Sequence, residues 1–275
     1  MIGIYSNPYR DKRFETTKRF IELAKKAGIE YRAAEFCDKS DALAAAKTAA
    51  NRSALTGCAL IVVFGGDGTI LGAATGAGEG VPLLGVNMGK LGFLTEASDA
   101  ELELIVGAIK DGAYTVEERM MLEARLKNGE TYAALNEIAV KDDGAHMAHM
   151  RIYIDGAFFD EYAADGVLIA TPTGSTAYSL SAGGPILAPD VSAFIVNPIN
   201  PHTLHSRPFV LSDGHTVGVE TTDGGALRII ADGVQKTAIG ADDFVIIQKS
   251  DKKARFVRIR PYDFYSAIAN KFNGK

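Results

Sequence analysis

The stretch Ala59-Leu60-Ile61-Val62-Val63-Phe64-Gly65-Gly66-Asp67-Gly68-Thr69 decides the fold of the first half of the chain. Its six leading apolar residues read as a strand buried on both faces, as in a parallel sheet. The glycines end that strand, and Ile70 to Ala77 has helical character. A buried strand, a glycine turn and a helix start make a phosphate cradle, because glycines let backbone N–H groups approach an anion. This makes Gly65, Gly66, Gly68 and Thr69 candidate nucleotide-binding residues. The acid among them adds a second function. A carboxylate repels a bare phosphate, so Asp67 suits work on a hydroxyl, a metal ion or both. Taken alone, the same five residues fit equally a tight strand-to-helix turn with a solvated Asp.

Strand and helix patterns alternate on both sides of this stretch. Met1 to Tyr5 is strand-like and is closed by Ser6-Asn7-Pro8. Phe14, Thr17, Phe20, Leu23, Ala24 and Ala27 recur at helical spacing, with Gly28 placed as a C-terminal cap. Tyr31 to Ala34 reads as a short strand, and Ser40 as the cap of an alanine-rich helix reaching Ala50. Val81 to Val86 is a further buried strand, followed by a second glycine loop, Asn87-Met88-Gly89-Lys90-Leu91-Gly92-Phe93. Ser98 and Glu101 have capping-box spacing ahead of a helical face of Leu102, Ile105, Val106 and Ile109. Repeated β-α units imply a parallel sheet covered on both faces. Ligands of such sheets bind beyond the carboxyl ends of the strands, where both glycine loops fall.

The period changes near Gly112. Leu122, Ala124 and Leu126 alternate with polar residues, and Asn128-Gly129 and Asp155-Gly156 are type I′ hairpin signals. Short strands are expected at Met150 to Ile154, Val167 to Ala170, Phe194 to Asn197, Thr216 to Glu220, Leu227 to Ala231, Phe244 to Gln248 and Arg255 to Ile259. Asp251-Lys252-Lys253 reads as a surface hairpin turn, and Phe264 to Phe272 has helical spacing. The expected fold is α/β plus β. An N-terminal Rossmann-like α/β domain covers residues 1–112, and a C-terminal, mostly antiparallel β domain covers 113–260. The segment 261–275 returns to the first domain.

The second half holds its own dense motif, Thr171-Pro172-Thr173-Gly174-Ser175-Thr176-Ala177-Tyr178, leading into Ser179-Leu180-Ser181-Ala182-Gly183-Gly184-Pro185. Ser175 is placed to cap the helix that follows. Small hydroxylated residues and Gly174 expose amides suited to phosphate or ribose oxygens, and Tyr178 offers a flat face and a hydroxyl. A loop rich in Ser and Thr that only caps a helix would look the same. Asn136-Glu137 follow Leu135 at a strand end, and Asp165-Gly166 precede the Val167 strand. An amide and a carboxylate together can read an adenine or ribose edge, while turn chemistry accounts for each alone.

Composition excludes several classes. At 275 residues, 47% hydrophobic and 23% charged, the chain is globular and long enough for one large domain or two ordinary ones. A net charge of −5 provides no overall basic field for nucleic acid or anionic lipid, so neither partner is expected. Cys37 and Cys58 are the two cysteines and form no CxxC pair, which fits a reducing compartment. The N-terminal residues form a short strand rather than a signal segment, and no apolar run is long enough to span a bilayer. A cytoplasmic location is expected.

The GGDGT stretch, Gly89 to Phe93, Asn136-Glu137, Asp165-Gly166 and Thr171 to Tyr178, in this order, resemble the NAD kinase family. GGDGT is shared with diacylglycerol and sphingosine kinases and, in related form, with phosphofructokinases. The run Thr171 to Pro185 is far more specific. The resemblance implies transfer of the ATP γ-phosphoryl group to the 2′-hydroxyl of the adenosine ribose of NAD, giving NADP. It implies Mg²⁺ or another divalent cation on the ATP phosphates. Asp67 would accept the hydroxyl proton, with Gly68 beside the ribose. Asn136 and Glu137 would contact the adenosine part, and Thr176, Ala177, Tyr178 and Ser181 would line the dinucleotide pocket. Asp165 matches a position that reaches the nicotinamide end, often in a neighbouring subunit, so a homodimer or homotetramer is implied.

Some positions depart from the family pattern or match it less closely. Ala163 stands where many relatives carry Arg. A position that is often basic, before the Met150 to Ile154 strand, is matched best by His146, with His149 close by. Asn200 matches a backbone contact to the nucleotide. His146/His149 and His202/His205 have HxxH spacing without the HExxH pattern or nearby cysteines, so no metal is assigned to them. Two other functions share parts of the pattern. A GGDGT-type lipid kinase would need an apolar acceptor face, and a non-catalytic dinucleotide sensor would have no need of Asp67.

Overall fold

The computed structural model describes residues 1–35, 44–89, 92–142, 147–202, 206–222, 227–240 and 243–272, with backbone alone at 44–47, 77 and 235. Cys37, Ser40, Lys90, Leu91, His146 and His205 lie outside the described residues. The chain divides into two compact units, Met1–Glu118 with Ala254–Lys275, and Arg119–Lys253.

The first unit runs β1 (Ile2–Ser6), α1 (Glu15–Lys26), β2 (Tyr31–Ala34), α2 (Ala44–Leu55), β3 (Ile61–Gly65), α3 (Asp67–Gly72), β4 (Leu83–Asn87), β5 (Ala97–Ser98) and α4 (Leu102–Asp111). β1 pairs in parallel with β2 on one side and β3 on the other, and β3 pairs with β4. The order β4-β3-β1-β2 means that the chain steps one way from β1 to β2 and the other way from β1 to β3. The carboxyl ends of β1 and β3 therefore flank a topological switch point, where open α/β sheets bind ligands.

Both faces of this sheet are covered, as the apolar runs imply. Phe20 and Ala24 of α1 and Leu102, Ile105 and Val106 of α4 share a core with Ile2, Ile4, Val62, Phe64, Leu84 and Val86. The Phe20 and Phe64 rings meet edge to face at 5.4 Å. On the other face, Leu55 of α2 crowds Gly3 and Ile70 of α3 crowds Gly85. Gly28, at φ +76°, closes α1. The Glu101 carboxylate accepts from both the N–H and the hydroxyl of Ser98 at 2.9 Å, so the capping box forms.

The second unit is a two-sheet sandwich. Its strands are β6 (Thr115–Leu126, begun in the first unit), β7 (Thr131–Ala134), β8 (Glu137–Asp142), β9 (Ala148–Ile154), β10 (Ala157–Ala164), β11 (Gly166–Ala170), then, after the short helix α5 (Tyr178–Ser181), β12 (Ala193–Ile199), β13 (Phe209–Ser212), β14 (Val217–Thr221), β15 (Leu227–Ala231), β16 (Val234–Ile239) and β17 (Phe244–Arg258). One sheet has the antiparallel order β13-β12-β11-β8-β15-β16; β10, β9, β14 and the first part of β17 pair antiparallel in the other. Ile138, Val140, Val167, Ile169, Phe194 and Val196 face Met150, Ile152, Val217, Val219, Val245 and Ile247 in one core. Leu168, Ala170, Ile195 and Ile199 pack outward against Ala182 and Leu187. β11 and β12 are thus buried on both faces, and their sequences run apolar without alternation.

Three local expectations are corrected. Asp251-Lys252-Lys253 is no turn: β17 runs through it unbroken, with the three residues exposed. The run lacks the Gly that follows Asn or Asp in a tight two-residue reversal. The Asn128-Gly129 hairpin forms, but Leu126 pairs with Glu130 around a three-residue loop in which Gly129 alone has positive φ, at +88°. Asp155 and Gly156, at φ +50° and +80°, do make the two-residue turn. Ser175 caps no helix. It is fully buried, and its hydroxyl bridges Pro172 O at 2.6 Å and Leu187 N at 3.0 Å.

The end of the chain returns to the first unit. Arg258 is buried between Glu117 at 2.8 Å and Glu96 at 3.2 Å, and Glu96 also accepts from the N–H groups of Ile259 and Arg260. α6 (Phe264–Phe272) follows, with the Phe264 ring 6.5 Å from that of Phe93 and the Lys271 ammonium 4.4 Å from the Phe93 ring centre.

Candidate active site

In the first unit the GGDGT residues sit at the switch point. Gly66 caps α3, and its carbonyl accepts from the N–H groups of Thr69 and Ile70 at 2.9 and 3.2 Å. Asn7, just past β1, fastens the two strand ends. Its N–H donates to Phe64 O at 3.0 Å, and its side-chain amide donates to the buried Thr69 hydroxyl at 2.9 Å. Asp67 opens α3. Its two carboxylate oxygens accept from the N–H groups of Phe93 (2.9 Å) and Leu94 (3.1 Å). The second glycine loop is thus laid onto the acid of the first. This contact explains Gly92, where a Cβ would stand 1.9 Å from an Asp67 oxygen. Gly66 and Gly68 differ. Neither has positive φ, and a Cβ at either would meet nothing within 4 Å. The chain's own packing does not demand glycine there; a ligand that approaches the backbone would.

In the second unit Asn136-Glu137 and the Thr171 motif are interlocked. The Thr171 hydroxyl donates to Leu135 O at 2.6 Å and accepts from Gly174 N at 3.0 Å, while Thr171 N donates to Asn136 O at 2.9 Å. Gly174 lies so close that a Cβ would stand 2.0 Å from Asn136 O. Thr173, Gly174 and Ser175 are buried, and Thr176 and Ala177 half-buried, whereas Tyr178 and Ser181 are exposed. Within this motif the four residues expected to line the dinucleotide pocket are thus the accessible ones; of the Asn136-Glu137 pair, Asn136 is half-buried and Glu137 is buried. Behind them Asn197, fully buried, donates to Ser179 O at 3.0 Å.

A third group is also brought together. The Asn200 amide donates to Asp165 at 2.9 Å, and Asn200 takes a left-handed φ of +47°, which Asn tolerates. His202 N donates to Ala163 O at 2.9 Å. Ala163 pairs across strands with His149, so the His149 side chain lies on the same face of the sheet as Ala163. Among the described residues, no three His, Cys, Asp or Glu side chains gather as a metal cage.

One side chain escapes the sequence reading. Asp232 is 5% exposed, and its carboxylate accepts from the N–H groups of Leu135 (2.8 Å), Asn136 (2.7 Å) and Glu137 (3.3 Å). The signal available for it was the Asp232-Gly233 pair at the end of an apolar strand.

Comparisons with known proteins agree with this geometry. Residues 2–114 match the ATP-NAD kinase N-terminal domain and residues 135–259 the ATP-NAD kinase C-terminal domain. The NAD kinase of Methylococcus capsulatus is 42% identical over 222 residues, covering 78% of this chain and 77% of that one. The NAD kinase of Thermoanaerobacter sp. is 36% identical over 294 residues, covering 98% of each. Among solved structures, yeast NADH kinase complexed with NADH superposes with a TM-score of 0.85 at 25% identity, covering 99% of this chain and 87% of that one. An NAD kinase from Archaeoglobus fulgidus in complex with ATP gives 0.77 at 27% identity, covering 99% and 98%. Matched in both halves and along nearly its whole length, the chain belongs to the NAD kinase family.

Proposed function

We propose that the protein transfers the γ-phosphoryl group of ATP to the 2′-hydroxyl of the adenosine ribose of NAD, forming NADP. The observation that carries this reading is the room left beside Gly66 and Gly68 on either side of Asp67. An acid held between two open backbone positions at a switch point suits a hydroxyl acceptor brought against a phosphate donor.

Asp67 orients the acceptor. Its two loop N–H bonds leave each carboxylate oxygen with a further acceptor position for the 2′-hydroxyl. The role that suits it is to aim the hydroxyl and receive its proton late, as a loose phosphoryl-transfer transition state permits. Among the described residues no side chains gather as a metal cage, and in this reading the divalent cation is carried in on the donor's phosphates. Such a cation neutralises charge on the transferring group. Asn136, Glu137, Thr176, Ala177, Tyr178 and Ser181 hold the adenosine half, and Asp165 and Asn200 serve the nicotinamide side, with Ala163 and His149 nearby. A homodimer or homotetramer is part of this reading, supported by exposed Phe158, Phe159 and Val210 on β10 and β13. So is a cytoplasmic location: among the described residues Cys58 is a free, buried thiol, and no helix is long and apolar enough to cross a membrane.

The test mixes the protein with ATP, Mg²⁺ and NAD and detects NADP with an NADP-specific dehydrogenase. NADP formation is expected. A melting shift with NAD but no NADP would point to a sensor instead.

A further inference from the structure

We propose that Asp232 is the positioning residue of the dinucleotide site, holding the Leu135–Glu137 backbone so that Asn136 and Glu137 meet the adenosine half. The inference rests on the reading above. Asp232 and Gly233, at φ +50° and +70°, form the two-residue turn between β15 and β16. For that turn alone Asn or Gly would serve equally well. The side chain, however, is folded back and 5% exposed. It accepts from three successive backbone N–H groups between 2.7 and 3.3 Å, and Asp232 N donates to Glu137 O at 3.1 Å.

The reason lies in the backbone accounting. β8 begins at Glu137, so Leu135 and Asn136 stand beyond the regular ladder and need other partners. Their carbonyls are taken by Thr171, through its hydroxyl at 2.6 Å and its N–H at 2.9 Å. Their N–H groups are taken by Asp232. A carboxylate can accept all three bonds, whereas an amide would turn its NH₂ group toward at least one donor. Asp232 and Thr171 therefore grip the same segment from opposite sides, and the carboxylate is required by the segment, not by the turn.

The test compares the full-length protein with Asp232→Asn, which retains the turn, and with Thr171→Val, which leaves the carboxylate in place. NAD and ATP affinities are read by calorimetry, and amide exchange is followed at Leu135, Asn136 and Glu137. Each variant is expected to bind NAD about tenfold more weakly, the effect of leaving buried backbone groups without partners. ATP affinity should stay unchanged. In Asp232→Asn, exchange should accelerate at those three amides ahead of the rest of β8. Unchanged NAD affinity in a folded Asp232→Asn, or equal losses for NAD and ATP, overturns the proposal. Should Asp232→Asn fail to fold, Thr171→Val decides by the same criterion. Binding is read without turnover, so a wild-type chain that binds NAD but forms no NADP defeats the kinase reading alone. A wild-type chain that binds no NAD defeats both.

Discussion

The two glycine-bearing motifs are built on opposite principles. In the first unit, Gly66 and Gly68 border empty space, and Asp67 is attached to its surroundings through two amides of one loop. In the second, Gly174 is pressed onto Asn136, Ser175 is fully buried, and Thr171 and Asp232 satisfy a whole backbone segment. The first motif leaves room for reacting groups; the second is a rigid cradle. Gly66 and Gly68 therefore have a different meaning from Gly174, and substitution separates them; Gly65, where a Cβ would stand 2.4 Å from the Thr69 hydroxyl, is a packing glycine inside the first motif.

Gly174→Ala should have the largest effect on the fold. The new methyl meets backbone that cannot move aside, so a loss of about 3 kcal/mol is expected in urea denaturation. Gly92→Ala makes a contact just as short, but against the end of a side chain. Its fold should survive with a loss of about 1 kcal/mol or less, while displacement of Asp67 lowers kcat roughly 100-fold. If both variants lose stability equally, the contrast between the motifs fails. Gly68→Ala sharpens it further. The position lies in α3 with free space around it, so stability should rise by about 0.5–1 kcal/mol. A methyl facing a ligand should weaken substrate binding about tenfold. A stabilised variant with unaltered binding would mean that no ligand approaches there.

The smallest effect lies away from both motifs. The Ser98 backbone N–H and then the Arg260 guanidinium lower the Glu101 carboxyl to about 2 from an ordinary 4.5. A depressed acid stabilises the fold above its unfolded value and loses that contribution as pH falls toward the folded one. The melting-temperature gap between wild type and Glu101→Gln should be full at pH 7 and close between pH 4.5 and 2. It is worth less than about 1 kcal/mol, because the pair is solvent-screened.

Periodicity made the α/β half legible, because runs such as Ala59 to Phe64 can be buried only in a covered sheet. The change of period near Gly112 likewise announced the antiparallel half. Chain reversals were less legible. A charged run such as Asp251 to Lys253 resembles a turn in composition, and only the lack of a Gly after Asp251 marks it as strand. The motifs stood out as residue strings, but their supports did not. Asp232 serves backbone 95 to 97 residues away, and Asn7 reaches Thr69 across 62. Neither pairing leaves a trace in local pattern: the Asp232 bonds go to backbone N–H groups and place no demand on the partners' side chains, and the Asn7–Thr69 bond joins side chains too far apart in sequence for any local period to register.

The account depends on Asp67 acting on the acceptor hydroxyl, and Asp67→Asn tests this most directly. Asn keeps a carbonyl oxygen for one of the two loop bonds and removes the charge. We expect kcat for NADP formation to fall about 100- to 10,000-fold while NAD affinity, measured by calorimetry, is unchanged. A variant that turns over at the wild-type rate would contradict the account.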